Sequence, residues 1–164
     1  MATIRTYREG DAPLFESLNR EWIERHFALE EPDRAVFRDP HGEIIAKGGQ
    51  IFLAVEADRV LGTCAVLRHS DEMFELAKMA VAPPARGRGV GGMLAESAIA
   101  FARERGAASL MLLSSRRLDV ALRLYAKHGF REVPIGNAQE YSRADIRMEL
   151  RLQHSGPPAP ETKA

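Results

Sequence analysis

Apolar positions change their period along this chain, and the changes mark out alternating strands and helices. Residues 2–8, ATIRTYR, alternate weakly and predict an opening strand. Leu14, Leu18, Trp22 and His26 recur at every fourth position, which predicts a helix over 12–28 capped by Asp11. Glu30-Glu31-Pro32-Asp33 breaks that helix, and a short second one is expected through Val36 and Phe37. Asp39-Pro40-His41-Gly42 has turn chemistry. QIFLAVEADRVLGTCAVLRH then predicts two strands, 50–56 and 59–68, joined at Ala57-Asp58. FELAKMAV, 74–81, predicts a third before Pro83-Pro84.

From Val90 to Arg105 the apolar positions 90, 94, 98, 101 and 102 follow a helical period, and Gly106 is a natural stop. SLMLL, 109–113, reads as a short buried strand. Leu118, Ala121, Leu122 and Tyr125 share one helical face, and Gly129 ends that helix before Phe130. ADIRMEL, 144–150, alternates as a last strand. A domain over 1–151 is therefore expected, followed by a polar, proline-rich and disordered tail over 152–164. No internal repeat is visible. Strand 74–81, helix 90–105 and strand 109–113 form a parallel crossover, so the fold class is α/β with a mixed sheet.

Composition narrows the functional classes. The 164 residues are 45% hydrophobic and 28% charged, as in an ordinary globular domain. Lys+Arg and Asp+Glu both number 23, so no excess of positive charge marks a nucleic-acid partner or a membrane surface. Cys64 is the single cysteine, which excludes an internal disulfide and a cysteine-based zinc cluster. His69 and His128 stand alone, without metal-ligand spacing, and read as surface or helix-end residues, so no metal is expected. There is no signal-peptide pattern and no membrane-length apolar run, and a cytoplasmic location is the expectation.

The segment PPARGRGVGGML, 83–94, carries the candidate chemistry. Gly87-Arg88-Gly89-Val90-Gly91-Gly92 satisfies G-x-G-x-x-G, the dinucleotide fingerprint, but its context does not. Five residues, two of them proline, separate Val81 from Gly87, where a dinucleotide fold needs a direct turn. No acidic residue ends the next strand, and about 50 residues beyond it are too few for a doubly wound sheet. The pattern G-x-x-x-x-G-K-S/T is absent as well. What remains is a strand, a glycine turn and a helix start, where free backbone amides and the helix dipole make an anion site. Arg86 and Arg88 are candidates for charge-assisted phosphate contacts. A merely flexible loop is the competing account. Glycines inside a helix start cost about 1 kcal/mol each relative to alanine, which argues for a use.

Arg86-Gly87-Arg88-Gly89-Val90-Gly91 resembles the R/Q-x-x-G-x-G/A loop of the GNAT superfamily of acyl-CoA-dependent N-acetyltransferases. Upstream, ELAKMAVAPPARGRG resembles the family's central strand and its proline-containing turn; downstream, LYAKHGFREV, 124–133, resembles its L-Y-x-x-x-G-F segment. The resemblance covers residues 3–151. It implies the GNAT fold, with acetyl-CoA in a cleft where two parallel central strands, 74–81 and 109–113, splay apart. Backbone contacts to pantetheine and the acetyl oxygen map to Met79, Ala80 and Val81; pyrophosphate contacts map to Gly87, Arg88, Gly89, Val90, Gly91 and Gly92, beside Arg86. Many members carry an asparagine seven residues before the tyrosine, where this chain has Leu118.

The resemblance also implies an activity, transfer of acetyl to a primary amine by direct attack in a ternary complex. Tyr125 matches the family tyrosine that protonates the departing thiolate; by pattern alone it is a core residue. Glu75 stands where some members carry a general base. Pairing with Lys78 or an arginine, or a place at a strand end open to solvent, is the competing role, and alternation puts it on one face with Ala77, Met79 and Val81. Trp22, His26 and Phe27 are candidates to line the acceptor pocket, and Glu30, Glu31 and Asp33 to attract an ammonium group; core packing and a solvated helix end are the plainer roles. A small-molecule acceptor is the leading expectation. Protein N-terminal or lysine acetylation, and a non-catalytic acyl-CoA sensor, are the alternatives. Dimerisation is common in this superfamily, and nothing in the sequence decides it.

Overall fold

The computed structural model describes residues 1–136 and 142–152. Seven strands form one sheet: β1 (Thr3–Thr6), β2 (Gln50–Glu56), β3 (Arg59–Arg68), β4 (Met73–Val81), β5 (Ser109–Ser114), β6 (Arg131–Val133) and β7 (Ile146–Arg151). Their order is β1-β2-β3-β4-β5-β7-β6, and β4–β5 is the one parallel pair among them. Four α-helices, α1 (Ala12–His26), α2 (Glu31–Arg38), α3 (Val90–Glu104) and α4 (Asp119–Lys127), flank the sheet. This is the mixed α/β architecture expected from the alternation of periods.

Each face of the sheet has its own core. Under α3, Leu94, Ala98 and Phe101 pack on Phe52, Cys64, Phe74 and Leu110. The apolar positions read from the sequence of α3 are all buried. Under α1 and α2, Phe15, Ile23 and Phe37 pack on Ile51, Leu53 and Ala65. Here the expected stripe is displaced by one position. The buried face of α1 is Phe15, Asn19 and Ile23, while Leu14 is exposed. A polar residue at the centre disguises that stripe; Asn19 satisfies its amide by donating to the Phe15 carbonyl at 2.9 Å.

Asp11 occupies the N-cap position of α1 without capping it. Pro13, at the second helical position, lacks the N–H that a cap would bond. The Asp11 carboxylate instead takes a fork from Arg5, at 2.7 and 3.0 Å, and the Arg8 amide at 2.7 Å, tying β1 to α1. Three further departures concern boundaries. Residues 131–133 form β6, a short edge strand that the sequence pattern did not declare. The turn expected at 39–42 is followed by a π-helical turn over His41–Ile45. Leu152, placed in the tail by composition, is buried in the α3-side core, and the rest of that tail lies outside the described residues.

One irregularity positions the site. β4 and β5 pair only at Met73–Ser109, Phe74–Leu110 and Glu75–Met111. Beyond that point β5 stays with β7 while β4 stays with β3, and the two parallel strands part. β4 also carries a bulge, since Thr63 and Ala65 of β3 face Ala80 and Ala77, three steps against two. Lys78, inside it, has φ of 52°. The extra residue flips the alternation. Glu75 and Ala77 look towards the α1 side, opposite Leu67 and Ala65, whereas Met79 and Val81 pack against the α3-side core. The single face expected for 75, 77, 79 and 81 is thus divided.

Candidate active site

The parted strands open a cleft of about 870 Å³. Its walls come from the C-terminal half of α1, from β4 beyond Glu75, from the glycine turn and the start of α3, and from the end of β5 through α4.

At one end the cleft is made of backbone. After a 3-10 turn at Pro83–Ala85 the chain passes through Gly87 and Gly89, both at φ 80°, before α3 begins. A Cβ at either would meet open space, so it is backbone conformation that demands glycine there. At Gly91 a Cβ would instead lie 3.1 Å from the Leu124 side chain, a tight contact. Among the described residues, the N–H groups of Gly87, Gly89, Val90, Gly91 and Gly92 have no hydrogen-bond partner, and all five residues line the cleft. A concave row of unpaired amides at the positive end of a 15-residue helix fits a pyrophosphate.

The two arginines of this segment differ from expectation. Arg86 lines the cleft, but its guanidinium bonds the Val81 carbonyl at 3.2 Å and Glu21 at 3.1 Å, bracing the turn against β4 and α1. Arg88 does not face the cleft; it points back to Glu56 at 2.7 Å. A phosphate contact from Arg88 is therefore not supported by the geometry. Arg117 and Arg123, which the motif did not single out, do line the cleft. Met79 and Val81 face it as expected, while Ala80 is buried beneath.

Leu118 and Tyr125 stand on the cleft side of α4. Leu118 sits at the N-cap position of that helix and supplies no side-chain cap. Tyr125 stacks edge-on to Phe130, at 6.0 Å between centroids, and no described residue hydrogen-bonds its hydroxyl. Burial pushes its phenol up to about 12, so it stays protonated throughout the physiological range.

The other end is made of side chains. Trp22, His26 and Phe27 meet as a ring cluster, with centroids 5.2 to 6.3 Å apart, and all three face the cleft. Arg117 covers Phe27 at 5.1 Å. Lys78 and Arg143 also face the cleft, and both bond Asp33, at 2.6 and 2.8 Å. Asp33 is fully buried. Burial alone would raise its pKa, but the Arg143 fork and the Lys78 charge outweigh it and hold the carboxyl down to about 2. At Lys78 desolvation wins and lowers the pKa, because one carboxylate is shared between two cations.

Glu30 does not line the cleft. It caps α2 and accepts from the Ser142 amide and hydroxyl at 3.0 Å and from Arg143 at 3.2 Å. Glu31 pairs outside with Arg38. The acids expected to draw an ammonium group are thus already partnered. Glu75 faces the cleft with 8% of its side chain exposed, and its partner is neither Lys78 nor an arginine. It meets His69 Nε2 at 2.6 Å. His69 is a surface residue, as expected, whose ring also reaches Glu75, and His128 sits at a helix end, with Nδ1 2.9 Å from the Leu124 carbonyl.

Among the described residues, no group of three His, Cys, Asp or Glu is arranged to hold a metal ion, and no helix is long and apolar enough to cross a membrane. Residues 47–132 match the family model of the acetyltransferase (GNAT) domain. A streptothricin acetyltransferase from Streptomyces lavendulae is 33% identical over an alignment of 151 residues, which takes in 77% of this chain and 80% of the relative. An acetyltransferase of the GNAT family from Staphylococcus aureus superposes with a TM-score of 0.85 at 19% identity, over 93% of this chain and all of the other. The PaiA N-acetyltransferase from Thermoplasma acidophilum, solved with coenzyme A, superposes at 0.70 with 17% identity, over 92% and 99%. Sequence, fold and a cleft lined by unpaired amides agree: the chain belongs to the GNAT family and is an acetyl-CoA-dependent acyltransferase.

Proposed function

We propose that this enzyme acetylates a primary amine of a small molecule by direct attack on acetyl-CoA in a ternary complex. One observation carries the reading. A single cleft is lined by the unpaired amides of Gly87, Gly89, Val90, Gly91 and Gly92 at one end, by Glu75 and the aromatic cluster at the other, and by Tyr125.

The amides and the α3 dipole bind the pyrophosphate, with Arg123 of α4 beside it. The β4 edge at Met79 and Val81, released from β5 by the splay, positions the thioester and donates to the tetrahedral oxyanion. Trp22, His26 and Phe27 hold the acceptor's apolar body. Glu75 removes a proton from its ammonium group. Tyr125, kept neutral by burial, hydrogen-bonds the departing thiolate and passes it a proton, which it recovers from the acylated nitrogen as that nitrogen loses its second N–H proton. Holding amine and thioester together supplies much of the remaining acceleration. The streptothricin acetyltransferase relative supports a small acceptor.

Release of CoA thiol, measured with streptothricin, amino acids, polyamines and peptides bearing free N-termini or lysines, tests the proposal. Turnover on small amines is the expected result. Turnover confined to peptides makes the enzyme a protein acetyltransferase, and acetyl-CoA binding without turnover on any amine makes it a sensor.

A further inference from the structure

We propose that Glu75 and His69 form a dyad in which Glu75 takes the acceptor's proton and His69 carries it from the cleft to solvent. The inference rests on the reading of Glu75 as the base and adds an outlet for what that base collects.

The two side chains occupy opposite environments. Glu75 has 8% of its side chain exposed and faces the cleft; His69 is 49% exposed and is not part of the cleft wall. They touch at 2.6 Å, Oε1 to Nε2, a separation that requires one proton between them. The contact is built into the sheet. Leu67 lies opposite Glu75 across β3–β4, and His69 follows two residues on, along the same face. The His69 amide bonds the Met73 carbonyl, and the Glu72 carbonyl takes the Ala108 and Ser109 amides, which anchors the turn to β5.

No other charge satisfies Glu75 directly. Lys78 acts on it through space but is bonded to Asp33, which also holds Arg143. Arg68 pairs with Asp71 on the turn, and Arg25, across the cleft on α1, pairs with Glu21. The residues facing Glu75 on β3 and β5 are Leu67 and Met111. Among the described residues His69 is therefore the hydrogen-bonding group of Glu75.

A carboxylic acid formed on Glu75, 8% exposed in the cleft wall, needs a route for its proton to solvent once two substrates fill the cleft. The ammonium N–H bond breaks and its proton passes to the Glu75 carboxylate, leaving a neutral amine to attack. In the resting pair the shared proton is the Nε2–H, donated to the Glu75 carboxylate. Once Glu75 is protonated, exchange of the exposed ring with water gives the Nδ1–H tautomer, whose Nε2 takes the carboxyl proton, giving carboxylate and imidazolium. The half-exposed imidazolium loses the Nδ1 proton to water, which restores the Nε2–H tautomer bonded to the carboxylate. The overall reaction releases one proton for each ammonium acetylated.

The test separates the two steps. Streptothricin is the acceptor, or the fastest amine of the panel if streptothricin is not turned over. His69→Gln keeps a donor to Glu75 but cannot relay, so it is expected to slow turnover about tenfold at neutral pH and to displace the acidic limb of the pH–rate profile. Its acetyl-CoA affinity and thermal midpoint should stay unchanged. Added imidazole should accelerate His69→Ala in proportion to its unprotonated fraction. Without any substrate, NMR titration should show a lower His69 pKa in Glu75→Gln than in the parent enzyme. Full activity of His69→Gln at every pH, beside an inactive Glu75→Gln, overturns the relay and leaves Glu75 as base. Full activity of Glu75→Gln overturns both, and an unchanged His69 titration in that variant overturns the dyad.

Discussion

At the glycine-turn end the cleft offers backbone amides from consecutive residues; at the α1–α2 end it offers side chains whose partners lie 45 and 110 residues away. The difference decides how each end fails. A backbone surface depends on a few φ angles and on side chains that stay out of the way. A shared buried charge network depends on every member, because removing one leaves the others uncompensated in a medium of low dielectric.

The strongest way to break the second kind is Asp33→Ala. It leaves Lys78 and Arg143 facing each other, and about 3–5 kcal/mol of stability should be lost, read by chemical denaturation. The pH dependence has a definite sign. The folded pKa of Asp33 is depressed to about 2, so its stabilisation is present above the unfolded value near 4 and is lost as pH falls towards 2. Asp33→Asn should flatten stability against pH across that window; an unchanged slope would move the acid sensitivity to another carboxylate.

Tyr125→Phe tests the proposed proton donor. Turnover should fall about a hundredfold with acetyl-CoA affinity unchanged. Since the phenol is pushed up to about 12, the parent enzyme should show no loss of rate from Tyr125 ionisation below about pH 10. Gly89→Val attacks the backbone end. A β-branched residue at φ 80° carries about 1–3 kcal/mol of strain, expected as acetyl-CoA binding weakened about thirtyfold, with stability changed less than in Asp33→Ala. The smallest effect belongs to Arg88→Ala. Its exposed pair with Glu56 is worth about 0–1 kcal/mol, and acetyl-CoA affinity should stay within about twofold. A large loss of affinity in Arg88→Ala would return that residue to the phosphate site and erase the contrast between a backbone end and a side-chain end.

The two ends also differ in how far they could be read in advance. The glycine turn is a contiguous string, and the residues proposed to meet the pyrophosphate stand side by side from 87 to 92. The ring cluster of Trp22, His26 and Phe27 was legible for the same reason, as neighbours on one helix end. Glu30 looked like an acceptor ligand because an acidic run is visible and its partners are not. Arg143 neutralises it from the far side of the chain, and no local pattern announces that. The displaced stripe of α1 has a related cause, since Asn19 breaks an apolar pattern that only burial reveals.

By itself the sequence determined the alternation of strands and helices, the α3 core face, the glycine turn and the family, because these depend on local period and on consecutive residues. Tertiary structure alone decided which arginines face the cleft, how the bulge at Lys78 divides the faces of β4, and that Glu75 meets His69 rather than Lys78. Those outcomes depend on strand register and on contacts between distant segments. A one-residue insertion in a strand reverses every side chain beyond it, and a polar residue's partner is chosen by the geometry of the whole sheet.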